Sequence, residues 1–134
     1  MLQNRSSDLT IETDRLIVDR ELDSVLAKDG GTLSLDTYLL EQLSITYNGV
    51  TTRLEFVTAQ LVVVTDAGFR LWYIDVDGIK QTTLLHMFNE SEDIRVDMAG
   101  LTVSGQAFDA IGYFHPNVMH HAAAIRGDGE LIGF

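Results

Sequence analysis

Alternation of apolar and polar residues with a period of two runs through much of this chain. In residues 94–98 (IRVDM), Ile94, Val96 and Met98 fall on one side and Arg95 and Asp97 on the other. That is the pattern of a strand with one buried face. Residues 69–76 (FRLWYIDV) place Phe69, Leu71 and Tyr73 on one face and Trp72, Ile74 and Val76 on the other. Both faces are bulky, which predicts a central strand covered on both sides. Residues 101–104, 108–114 and 130–134 read as shorter strands. Within 9–22, Leu9 and Ile11, then Leu16 and Val18, predict one or two edge strands whose charges discourage stray pairing.

Turn chemistry orders these segments. Tyr47-Asn48-Gly49-Val50, Thr65-Asp66-Ala67-Gly68 and Val76-Asp77-Gly78-Ile79 lie between apolar-rich stretches. Asn-Gly and Asp-Gly tolerate the positive φ angles of tight hairpins. Residues 42–88 therefore read as an antiparallel meander, with 79–88 as its last strand. Ala99-Gly100 reads as a further turn.

Two stretches break the period. In 33–43, Leu35, Tyr38, Leu39 and Leu43 have helical spacing, with Ser34 as N-cap. In 118–126 (VMHHAAAIR), a preceding Pro116, three alanines and a following Gly127 favour a helix over a strand. The predicted fold is mainly β: an antiparallel meander forming a small sandwich or barrel, with one or two short helices at about 34–43 and 117–126. A length of 134 residues predicts a single domain, 1–134, with residues 1–8 as an extended N-terminal arm.

Charge narrows the choice of partner. Twenty acidic residues against nine basic ones give a net charge of −11. Such a surface repels phosphate backbones and anionic lipid, so neither nucleic acid nor membrane is expected as a partner. The nine basic residues form no stripe. The absence of cysteine excludes disulfides and thiolate chemistry. No signal peptide or transmembrane segment is read, so the chain is expected in a cytoplasm, or in a virion if it is viral.

Candidate chemistry is sparse. His115, His120 and His121 cluster in sequence, with His86 apart. Clustered imidazoles are zinc ligands, but ligands on one helix face need a spacing of four, and adjacent residues on a strand point apart. Asp75-Val76-Asp77 sets two carboxylates on one strand face, yet no later glutamate completes a calcium loop. Val103-Ser104-Gly105 lacks a nucleophile elbow, and no phosphate-cradling loop occurs. Arg126-Gly127-Asp128 matches an integrin-binding tripeptide and is read as a helix stop and a turn. Trp72, Tyr73, Tyr113 and Phe114 suit either a sugar platform or a core, and the core is favoured.

These features predict no catalytic, cofactor-binding or metal residues and no cofactor. The leading expectation is a non-enzymatic structural subunit acting through protein–protein contacts, with itself (a homo-oligomer) and within a larger assembly. A virus or phage component, either a capsid decoration (cement) protein or a small tail or neck protein, comes first. Residues 1–20 are its expected contact segment. Two alternatives stand beside it: a carbohydrate- or ligand-binding β module with Trp72 or Tyr113 in a groove, and a metal-dependent enzyme using the C-terminal histidines.

Overall fold

The structure, a computed structural model, describes residues 33–134. The expected N-terminal arm and the strands within 9–22 lie outside the described residues. Residues 35–64 and 70–134 form one compact unit, which holds the barrel core and the site described below.

Seven strands and one helix follow in order: β1 (Leu33–Tyr47), β2 (Val50–Arg53), β3 (Thr58–Asp66), β4 (Phe69–Asp77), α1 (Thr82–Glu90), β5 (Arg95–Thr102), β6 (Ala107–Asn117) and β7 (Ala122–Gly127), with a 3-10 turn (Val118–His120) before β7. The hydrogen-bonded order is β2-β1-β3-β4-β7-β6-β5, and β5 pairs back onto β1. Six strands thus close into an antiparallel barrel, one of the two predicted forms. β2 is an extra strand: residues 44–46 of β1 pair with β2 on one edge and with β5 on the other.

Two of the three predicted hairpins form. Asn48 (φ 52°) and Gly49 (φ 77°) join β1 to β2, and Ala67 (φ 49°) and Gly68 (φ 92°) join β3 to β4. Paired positive φ values are what a two-residue hairpin requires. The third signal acts differently. Gly78 turns with φ 71°, but the chain then enters α1, so 79–88 is not a strand. Leu85 and Phe88 are the buried residues of this helix.

The predicted helix at 34–43 is the long strand β1. The reason is a bulge: Leu40 pairs with Thr102 and Gln42 with Leu101, so Glu41 is an extra residue. An inserted residue reverses which face the next side chains occupy. Leu40 is buried before the bulge, and Leu43 and Ile45 after it, while Leu35 and Leu39 of the expected helical stripe are exposed. The predicted helix at 117–126 is the 3-10 turn followed by β7. The predicted turn at Ala99-Gly100 is continuous β5, paired with Asp109 and Phe108. Residues 130–134 form no named strand, only an isolated bridge from Ile132 to Asp109.

The lumen is filled by size matching. Phe108 and Phe114 of β6, Trp72 and Ile74 of β4 and Ile125 of β7 are buried. Glycine and alanine stand where these side chains need room, as small barrels require. Gly100 lies under the Phe108 ring, and Gly127 under the Trp72 indole; a methyl group on either would overlap its aromatic neighbour. Phe88 of α1 packs at a tilt against Phe114, with ring centroids 4.5 Å apart, and against Tyr47 at 4.9 Å, closing one end. Phe134 meets Phe108 and Tyr38 edge-on at the other.

Barrel closure leaves β2 as the terminal strand of the sheet, and Gln81 covers part of its edge. Its amide donates to the Arg53 carbonyl at 2.8 Å and accepts from the Glu55 N–H at 2.9 Å. One side chain thereby supplies the two bonds that a neighbouring strand would make.

Candidate functional site

Strands β4, β7, β6 and β5 are consecutive in the barrel, and their registers bring four outward residues into one row. Tyr73 pairs with Arg126, Arg126 with Tyr113, and Tyr113 with Arg95. The row reads Tyr-Arg-Tyr-Arg. Four strands at the usual spacing span roughly 14 Å. The alternation that sends Trp72, Ile125 and Phe114 into the lumen sends their neighbours outward. Tyr73 and Tyr113 are half-buried; Arg95 and Arg126 are exposed.

A polar network fixes one end of this row. Asp128, just after β7, accepts from Arg95 Nε at 3.3 Å and from the Tyr113 hydroxyl at 3.2 Å, both at Oδ2. Hydrogen bonding to Asp128 raises the Arg95 guanidinium above its ordinary value, so it stays charged. The backbone N–H of Arg95 donates to Asp93 Oδ1 at 3.1 Å, and the Tyr47 hydroxyl donates to the Asp93 carbonyl at 2.8 Å. A recess of about 190 Å³ opens here between the β1–β2 turn and the start of β5, lined by Thr46, Tyr47, Asp93, Arg95 and Asp97 among others.

Arg126 behaves differently. No side-chain hydrogen bond or ion pair holds it among the described residues. Beside it in β7 stands Ala124, paired with Asp75 on one side and His115 on the other.

The predicted chemical residues disperse. His115 is on the outer wall, His120 ends the 3-10 turn, and His86 is exposed on α1. His121 follows in the left-handed conformation (φ 52°, ψ 45°), and its carbonyl accepts from the Ile79 N–H at 2.7 Å. Its role in the backbone is the one glycine or asparagine usually fills. Among the described residues, no group of three or more histidines and carboxylates is placed to hold a metal ion.

The aromatic platform divides. Trp72 and Phe114 are core residues, 4 % and 0 % exposed, and the indole N–H donates to the Gly129 carbonyl at 3.1 Å. Tyr73 and Tyr113 are on the wall. The expectation that both faces of 69–76 are covered is corrected: Phe69 is 77 % exposed and Leu71 69 %. The Arg126-Gly127-Asp128 tripeptide is split among three tasks: a wall cation, the space beneath Trp72, and the anchor for Arg95.

Sequence reasoning missed Arg126 and Asp128 as wall residues. The alternation at 94–98 already turned Arg95 outward. Its neighbours became visible only once β7 replaced the expected helix. No protein-family model, curated protein or solved structure matches the chain.

Proposed function

We propose that this chain is a non-enzymatic assembly subunit that acts through protein–protein contacts made by the outer wall of β4, β7, β6 and β5. The supporting observation is the in-register row Tyr73, Arg126, Tyr113, Arg95. Tyrosine and arginine are the residues most enriched at the energetic centres of protein interfaces, because each brings large contact area and directional donors. Asp128 holds Arg95 and Tyr113 in place before binding, which lowers the ordering cost of association at that end of the row. The lumen, filled by Phe88, Phe114 and their neighbours, is committed to packing. Among assemblies, a virus or phage particle stands first, with the chain as a capsid decoration (cement) protein or a small tail or neck protein.

Gradient sedimentation of extracts from the native source tests this reading. The wild-type chain is expected in a fast-sedimenting fraction, and a chain carrying both Tyr113→Ala and Arg126→Glu in the slow one. A wild-type chain found only at its monomer mass would overturn it. For the sugar-binding reading, Trp72 is buried and Tyr113 is half-exposed on the wall.

A further inference from the structure

We infer that Asn48-Gly49, the turn between β1 and β2, is a self-modifying site that converts to aspartate and isoaspartate with water as the only co-reactant. The inference stands apart from the assembly reading. Three asparagines fall in the described residues: Asn48, Asn89 and Asn117. Asn89 is followed by Glu90 within α1, and Asn117 by Val118 of the 3-10 turn. Asn48 alone of the three is followed by a glycine, and both residues of the pair are exposed. A two-residue hairpin spends its ladder bonds on the flanking residues, here Tyr47 and Val50. Neither the Gly49 N–H nor the Asn48 side chain makes a hydrogen bond among the described residues. Space around Gly49 is open, with nothing within 4 Å of the point where a side chain would begin. Nucleophile and electrophile are thus adjacent, unpaired and unshielded.

The Gly49 N–H gives its proton to water, and its nitrogen bonds to Cγ of Asn48. The Cγ–Nδ2 bond breaks, and ammonia leaves after taking a proton from water. A five-membered imide now joins the two residues. Water opens it at one carbonyl or the other. Opening at Cγ gives aspartate; opening at the main-chain carbonyl gives isoaspartate, whose backbone runs through Cβ and Cγ. Ring closure swings the Gly49 nitrogen toward Cγ, so the paired positive φ values of the turn relax first. β2 permits this, being a four-residue terminal strand. Either product adds a carboxylate to the rim of the recess that Asp93 and Asp97 also line. Isoaspartate further lengthens the turn by one backbone carbon. Turn geometry fixes the register of a hairpin, so the pairing of Tyr47 with Val50 is lost with it.

Peptide mapping by mass spectrometry of the folded full chain, sampled during incubation in mildly alkaline buffer, is the test. The peptide holding Asn48 is expected to gain the mass of an amide-to-acid exchange and to split into two separately eluting products. The peptides holding Asn89 and Asn117 are expected to stay unchanged over the same period. Asn48→Gln is expected to lose the gain, because its longer side chain would have to close a six-membered ring. Conversion of Asn48 no faster than that of Asn89 and Asn117 would overturn the inference. So would aspartate as the single product, the mark of direct hydrolysis without the ring.

Discussion

Two adjacent rows of residues on the same four strands obey opposite rules. One step inward from Tyr73, Arg126, Tyr113 and Arg95 lie Trp72, Gly127, Gly112 and Val96. The inner row holds one large aromatic and two glycines, because a closed barrel has a fixed volume. A large group in one strand must be answered by small groups in its neighbours. The outer row has no such limit, and all four of its residues are large. Holding long side chains in order costs conformational entropy, which nothing in the barrel interior offsets. The inner row serves the fold, and the outer row is free to serve association. Substitutions should therefore separate: inner changes lower stability, and outer changes lower binding.

The inner side gives the largest effects. Phe114 is fully buried and packs at a tilt against Phe88. Phe114→Ala is expected to cost about 3–5 kcal/mol in denaturant melts, the usual range for an aromatic truncated in a core. Gly127→Ala is expected to cost about 1–3 kcal/mol, since the added methyl overlaps the Trp72 indole and forces a shift. Tryptophan emission reports the same event from inside. A red shift in the folded Gly127→Ala chain would show that the indole has been displaced toward solvent. Unchanged stability and emission would break the size-matching account.

How far the sequence reading reached follows from the same contrast. Period two was legible where a strand has one buried face and no irregularity, as at 94–98. It failed at β1, where Glu41 bulges and the buried positions change phase, and where Leu35 and Leu39 of the expected helical stripe are exposed. It failed again at β7. The alanine run there answers to space, with Ala123 turned into the lumen and Ala124 between Asp75 and His115 on the wall. Helix propensity is a local average, and here tertiary volume overrode it. The helix α1 was hidden by its entrance, because Asp77-Gly78 carries the same signal as a hairpin. The wall was legible only in fragments. Its row is a property of register across four strands, one of them (β4) distant in sequence, which no single segment displays.

Between the two extremes stands Gln81, a polar residue used structurally. Its side chain makes two hydrogen bonds to the backbone at Arg53 and Glu55. Gln81→Ala is expected to cost about 1 kcal/mol, since exposed groups regain water when the bonds are lost. Amide hydrogen exchange would localise the loss: the Glu55 N–H should exchange faster, while the Ile45 amide in the heart of β1 should not. Equal acceleration at both would mean that Gln81 supports the whole sheet and does not act locally on the β2 edge.

The smallest expected effect on stability bears most directly on the contrast. Arg126→Ala removes an exposed side chain that no described residue holds, and surface changes of that kind usually lie within about 0.5 kcal/mol. Tyr113→Phe removes a hydroxyl that donates to Asp128 at 3.2 Å in a part-buried setting, and Arg95 keeps that carboxylate occupied afterwards. Its cost should stay below about 1 kcal/mol, the net worth of one ordinary hydrogen bond. If both variants melt with wild type yet associate more weakly, the outer row is spent on a partner. If Tyr113→Phe instead lowers stability as much as Gly127→Ala, the row is a scaffold that braces Asp128 against β5. The division between the two faces would then dissolve, because the outer tyrosine would be serving the fold just as the inner tryptophan does.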